Sequence, residues 1–177
     1  LLKDDGVMIG MQNGICSDEL AESAGRSRTV GCMIGFGATR NDVNDVTMTS
    51  LGEFYVGMAD SSHPPILDKV RDILGKVLPT KTTDNITARQ YSKLIINSCI
   101  NAVAAISGQT LGVILDDGRA RSLFLKIARE GMYVAKAMGL KVPKYGALLD
   151  YNLLMLGDNK IYNSLCKGVV LLVGKSK

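Results

Sequence analysis

The chain has 177 residues, 46% of them hydrophobic, and a formal net charge of +4 at pH 7. This length fits one large domain or two small ones, with ample apolar residues for packed cores. The basic residues are scattered without interleaved aromatic residues, which argues against nucleic acid, and no run of about 18 apolar residues predicts a membrane-spanning helix.

The first third of the chain has the pattern of short strands and turns. An apolar run at residues 7–11 predicts a buried strand, which ends in the turn sequence Gln-Asn-Gly at residues 12–14. Ser17, followed by two acidic residues, predicts the N-cap of a short helix that ends near residue 24. Loose alternation of apolar residues predicts a second strand at residues 29–36.

Residues 45–50 and 53–57 also have the composition of strands. Leu and Gly at residues 51–52 separate them, which predicts that these two strands form a hairpin. Apolar residues then recur at helical spacing over residues 66–78, and a proline directly after them is expected to end this helix.

Helical patterns dominate the rest of the chain. Residues 86–106 predict one long helix. A second helix is expected to begin at Asp117 or Gly118 and to be closed by Gly139. Shorter helices are predicted at residues 147–155 and 161–173.

Strands therefore precede helices along the chain, with little mixing. This order predicts an α+β fold in two parts. The polar, turn-like residues 80–85 are the best candidate for a boundary, so we expect one domain at residues 1–84 and an all-helical domain at residues 85–177.

The cysteines and the single histidine carry no ligand pattern. Cys16, Cys32, Cys99 and Cys166 are far apart and form no C-x-x-C pair, and no secretory signal opens the chain. Reduced thiols in a cytoplasmic protein are therefore expected. His63 lies in a turn-like Ser-Ser-His-Pro-Pro sequence without other ligands at suitable spacing, which argues against a zinc site.

The most informative stretch lies in the long predicted helix, where Lys93, Asn97 and Asn101 recur every four residues in apolar sequence. On a helix, this spacing places the three side chains on one stripe that drifts by about 40° per step. Asn is a poor helix former, and a solvated helix face usually carries Glu, Lys and Arg instead. One ammonium and two carboxamides favour a site that binds a small polar molecule and gives it a proton. An amphipathic helix with a polar face in water fits the same spacing, so both interpretations stay open.

Three motifs, in this order, resemble the ketopantoate reductase (2-dehydropantoate 2-reductase) family. They are Gln-Asn-Gly at residues 12–14, the segment Gly-Phe-Gly-Ala-Thr-Arg at residues 35–40, and Lys93 with Asn97 and Asn101. Each motif alone has low specificity, whereas the ordered set is fairly specific. The resemblance implies the C-terminal part of a Rossmann-type NADPH-binding domain, followed by an all-helical domain that closes over the substrate.

The resemblance also implies roles for individual residues. Lys93 would be the catalytic lysine that hydrogen-bonds the ketone oxygen and delivers the proton. Asn97 and Asn101 would bind the hydroxyl and carboxylate end of ketopantoate, and Asn13, at the carboxyl end of a strand, would contact the cofactor. These roles suit the chemistry, because an ammonium offsets the negative charge that develops on a ketone oxygen during hydride transfer.

The sequence also departs from the family pattern. The Gly-x-Gly-x-x-Gly loop and the later segment that supplies a serine and a glutamate have no counterpart, and Ala102 stands where the family often has proline. We therefore expect an internal fragment of a longer reductase that, by itself, neither binds NADPH tightly nor turns over. The departures leave open whether the substrate is ketopantoate or another α-keto acid.

The expected partner is a small α-keto acid, with no nucleic acid and no membrane, and apolar helix faces leave a homodimer open. Two other functions also stay open. One is another dehydrogenase of the 6-phosphogluconate and hydroxyacid type, which likewise pairs a Rossmann domain with helices and a catalytic lysine. The other is a non-catalytic helical association module whose polar stripe faces water.

Overall fold

The computed structural model describes residues 2–146, 149–156 and 160–175, the last four of them as backbone. The chain separates into two compact units, Leu1–Gln90 and Tyr91–Lys177. All the strands that the structure assigns lie in the first unit, and the second unit is helical. This arrangement confirms the predicted α+β class.

The first unit contains a four-stranded mixed sheet and a separate two-stranded hairpin. Its elements are β1 (Met8–Gly10), α1 (Ser17–Ala24), β2 (Thr29–Ile34), β3 (Gly37–Asp42), β4 (Asp45–Ser50), β5 (Phe54–Met58), α2 (Pro65–Leu74) and β6 (Thr80–Thr82). The order in the large sheet is β1-β2-β5-β6. β1 is parallel to β2 and β5 is parallel to β6, whereas β2 and β5 are antiparallel.

The predicted hairpin between residues 45–50 and 53–57 is wrong. β4 pairs with β3, and β5 pairs with β2 in the large sheet. The amide of Asn41 stabilises the observed hairpin by donating to the Asp45 carboxylate at 3.0 Å and to the Thr47 hydroxyl at 2.7 Å. Burial explains the choice, because β5 is almost wholly buried while β4 is almost wholly exposed.

The core of the first unit lies between one face of the large sheet and α2. It consists of buried apolar residues of β2, β5 and α2, namely Val30, Cys32, Phe54, Val56, Met58, Leu67 and Val70. Phe36 packs edge-on against Phe54, with ring centroids 5.7 Å apart. α2 ends at Leu74, where Gly75 follows, and is therefore shorter than predicted.

One N-cap in the first unit was predicted wrongly. Cys16, and not Ser17, occupies the N-cap position of α1, and its side chain makes no capping hydrogen bond. Ser17 is buried, and its Oγ donates to Gln90 Oε1 at 3.3 Å. A contact between residues distant in the sequence has therefore replaced the local cap.

The helices of the second part of the chain are α3 (Ile86–Ser107), α4 (Leu111–Asp116), α5 (Gly118–Ala137), α6 (Tyr151–Leu154) and α7 (Lys160–Lys175). α3 begins in the first unit and continues into the second. Asn85 caps α3 through its Oδ1, which accepts from the Ala88 N–H at 2.9 Å. Asp117 caps α5, and Gly139 follows α5 with φ of +71°, as the sequence predicts.

The long helices α3 and α5 match their predicted ranges closely. The six-residue α4 was not predicted. α6 covers only part of its predicted range, 147–155, and residues 147–148 of that range lie outside the described residues. α7 extends slightly beyond its predicted range, 161–173. Among the described residues, no helix combines the length and the hydropathy needed to cross a membrane.

Candidate active site

Lys93, Asn97 and Asn101 lie along one stripe of α3. Lys93 and Asn97 are partly buried, and Asn101 is exposed. Gln90 projects between Asn97 and Asn101 on a helical wheel, yet its side chain is only 3% exposed. The side of α3 that carries the stripe is therefore not a uniformly solvated face.

The carboxamide of Gln90 is only half satisfied. Its Oε1 accepts from Ser17 Oγ, and its Nε2 has no hydrogen-bond partner among the described residues. Turning the amide by 180° would pair Nε2 with Ser17 and leave Oε1 unpaired instead. A buried polar group without a partner costs about 1–3 kcal/mol. A group outside the described residues that pairs with the Gln90 carboxamide would therefore be stabilised there.

The opposite side of α3 packs into the helical unit. Ile95 and Cys99 are buried, and Gly131 of α5 allows a close approach, since a Cβ there would lie 2.8 Å from Ile95 Cγ1. The Cys99 thiol contacts the Phe124 carbonyl oxygen at 3.6 Å. These contacts fix which face of α3 is turned away from α5, and that face carries Lys93.

Asn13 lies in the first unit, three residues after the end of β1. Its side chain is exposed, and the following Gly14 has φ of +91°, a conformation that glycine adopts without strain. The carboxyl ends of strands form the ligand-binding edge of doubly wound sheets. Asn13 lies near this end of β1, and its role as a cofactor contact stays a prediction.

A cluster of charged and aromatic side chains near the start of α3 was not predicted. The Arg89 guanidinium lies 4.1 Å from the centroid of the Tyr55 ring, and the Tyr55 hydroxyl donates to the Glu53 carboxylate. Lys81 Nζ lies 2.7 Å from the same carboxylate. Partial burial acts to raise the pKa of Glu53, but hydrogen bonds from Lys81 and Tyr55 hold it below its ordinary value. Arg89 lies one helical turn before Lys93. This spacing is the one sequence signal that could have revealed the cluster.

The strand-bearing unit and the helical unit that follows it define a fold class in which a Rossmann-type domain precedes a helical domain. Residues 85–166 match the family model described as "Ketopantoate reductase PanE/ApbA C terminal". This match includes all three residues of the stripe. This match confirms the resemblance to the ketopantoate reductase family that the sequence predicts.

Curated relatives agree with this family. The chain is 27% identical to a 2-dehydropantoate 2-reductase of Pyrococcus horikoshii, over 77% of this chain and 46% of that protein. It is 30% identical to the enzyme of the same name from Pyrobaculum aerophilum, over 78% of this chain and 47% of that protein. The chain thus spans about half the length of the curated relatives that it matches.

Solved structures show the same fold at low sequence identity. A 2-dehydropantoate 2-reductase from Geobacter metallireducens has a TM-score of 0.77 at 20% identity, covering 100% of this chain and 55% of that one. D-mandelate dehydrogenase in complex with NADH has a TM-score of 0.72 at 15% identity, covering 99% of this chain and 72% of that one. These likenesses confirm the Rossmann-type and helical fold class.

Proposed function

We propose that the protein carrying this chain reduces an α-keto acid, ketopantoate in the first instance, with hydride from NADPH. The observation that supports this proposal best is the stripe of Lys93, Asn97 and Asn101 on α3, within the segment that matches the family model. NADPH would supply the hydride, and Asn13 is the residue proposed to contact it. The reaction would serve pantothenate synthesis in the cytoplasm.

The residues of the stripe have distinct chemical roles in this proposal. The Lys93 ammonium binds the ketone oxygen and gives it a proton as negative charge develops there. The carboxamides of Asn97 and Asn101 hold the hydroxyl and carboxylate end of the substrate. Because both amides are neutral, they fix the orientation of the keto acid without adding a second charge beside the lysine.

A second function in the same class is reduction of a different α-keto acid. The observation that favours it is the structural likeness to D-mandelate dehydrogenase, which was solved with NADH. In that function the same lysine would protonate the ketone oxygen, while a different substrate side chain and NADH would occupy the site.

A substrate and cofactor panel separates the two functions. The complete encoded protein is assayed with ketopantoate and with phenylglyoxylate, each with NADPH and with NADH, by the loss of reduced-cofactor absorbance. The proposal expects the highest kcat/KM for ketopantoate with NADPH. A preference for phenylglyoxylate with NADH would support the second function, and no turnover with any pair would favour the non-catalytic association module.

We propose two further properties of the protein, namely that this segment alone is inactive and that the complete protein is a dimer. Since the chain spans about half the length of its curated relatives, we expect residues 1–177 alone neither to bind NADPH tightly nor to turn over. We also propose a homodimer, because the structurally similar ketopantoate reductase of Staphylococcus aureus is described as dimeric. Sedimentation of the complete protein tests the second point, and NADPH titration of residues 1–177 tests the first.

A further inference from the structure

The hydroxyl of Tyr151 is bound to the backbone of α3 beside Lys93. Tyr151 is fully buried, and its hydroxyl donates to the Ser92 carbonyl oxygen at 2.7 Å, a contact between residues 59 apart in the sequence. The Ser92 carbonyl and the Lys93 N–H belong to the same planar peptide unit. Tyr151 therefore holds the peptide unit that leads into Lys93.

The helix itself does not need this hydrogen bond. In an α-helix, the Ser92 carbonyl already accepts from the N–H of Ile96. A carbonyl oxygen has two lone pairs, so the Tyr151 hydroxyl is an additional donor to it. Its effect is to fix the position of this turn of α3 relative to α6, on which Tyr151 lies.

Tyr151 itself is well anchored. It is the first residue of α6, and the Asp150 carboxylate caps this helix by accepting from the Asn152 N–H at 3.0 Å. Lys144 Nζ lies 3.3 Å from the same carboxylate. The phenol ring thus extends from a fixed backbone, so its hydroxyl can define the position of the peptide unit that it contacts.

We propose that Tyr151 is a positioning residue for Lys93, which it serves by anchoring the Ser92–Lys93 peptide unit. This inference rests on the proposed function. Ser92 and Cys99 lie on the side of α3 that faces away from the Lys93 stripe, so the anchor leaves the ammonium accessible to a substrate. Rates of enzymic reactions are sensitive to displacements of about 1 Å, whereas substrate affinity is less affected when the binding groups remain in place.

The test compares Tyr151→Phe with Tyr145→Phe in the complete encoded protein. Tyr145 is a suitable control because it is partly buried in the same unit, and its hydroxyl has no hydrogen-bond partner among the described residues. With ketopantoate and NADPH, Tyr151→Phe is expected to lower kcat about tenfold or more and to change KM little. Tyr145→Phe is expected to change neither. Equal kcat values in the two variants, or a rise in KM without loss of kcat, would overturn the proposal.

A second variant tests the anchor without a change at Tyr151. A second measurement tests it without relying on activity. Asp150→Ala removes the cap of α6 and leaves Tyr151 intact. Like Tyr151→Phe, it should lower kcat. Hydrogen–deuterium exchange of the α3 peptides around Lys93 should be faster in Tyr151→Phe than in Tyr145→Phe. If the wild type reduced no keto acid, the proposed function would fail, but hydrogen–deuterium exchange would still test whether Tyr151 anchors α3. Equal exchange in Tyr151→Phe and Tyr145→Phe would overturn the proposed anchor.

Discussion

Gly31 of β2 and Gly57 of β5 lie opposite each other in the antiparallel ladder, and the side chain of Ile86, at the start of α3, lies close to both. A Cβ on Gly31 would lie 2.8 Å from Ile86 Cγ1, and a Cβ on Gly57 would lie 3.0 Å from Ile86 Cβ. The absence of a side chain at these two glycine positions therefore allows the helix that carries Lys93 to begin directly on the sheet.

We expect Gly57→Ala to destabilise the protein by about 1–3 kcal/mol, because the new methyl group would clash with the Thr83 carbonyl oxygen, which is backbone and cannot turn away. The matched control is Gly168→Ala in α7, where a Cβ would meet no atom within 4 Å. Removing a helical glycine should stabilise by up to about 1 kcal/mol. Urea unfolding of both variants tests the pair, and equal effects would contradict the close approach of the Thr83 backbone to Gly57.

Tyr151→Phe should destabilise the protein and Ser92→Ala should not, although the two residues touch. The first substitution removes the donor of a buried hydrogen bond and is expected to cost about 1 kcal/mol. The second removes a hydroxyl that is buried without a partner among the described residues, so it should be neutral or stabilising. The free energy of unfolding of each variant is the measurement. A large loss for Ser92→Ala would show that the hydroxyl has a partner after all.

Asp117 should make stability depend on pH at acidic values. Hydrogen bonds from the Ala120 and Arg119 N–H groups hold its pKa below the ordinary value of 3.8. A carboxyl group whose pKa is lower in the folded state stabilises above its unfolded pKa, and this contribution is lost as the pH falls through the folded pKa. Thermal unfolding of wild type and Asp117→Asn should therefore differ near neutral pH and converge at strongly acidic pH. A difference that is constant with pH would contradict this role.

The Cys99 thiol is expected to resist alkylation in the folded protein. Burial raises its pKa to about 12, so very little thiolate is present at neutral pH, and the side chain is only 1% exposed. Mass spectrometry after treatment with iodoacetamide should show Cys99 unmodified under native conditions and modified in urea. Rapid native alkylation would mean that the packing of α3 on α5 opens readily.

The long helices could be predicted from the sequence because local signals determine them. α3 and α5 combine sustained apolar spacing with terminal residues such as Asp117 and Gly139, and both were confirmed. The partners of β4 and β5 could not be predicted in this way. Strand pairing depends on which segment is buried, and the turn residues between 50 and 54 gave a misleading local signal.

The candidate site was predictable in part for the same reason. The spacing of Lys93, Asn97 and Asn101 follows directly from helix geometry, and their roles remain predictions. Gln90 and Tyr151 were not found, because their contacts with Ser17 and Ser92 join residues 73 and 59 positions apart. No periodicity in the sequence indicates such long-range hydrogen bonds.

The proposed role of Lys93 is tested most directly by the kcat/KM of Lys93→Ala in the complete encoded protein, measured with ketopantoate and NADPH. Lys126→Ala, at an exposed position on α5, is the control for loss of a lysine. We predict a loss of about a hundredfold to ten-thousandfold for Lys93→Ala, with folding intact and the control unaffected. An active wild type whose kcat/KM is the same in Lys93→Ala would contradict it.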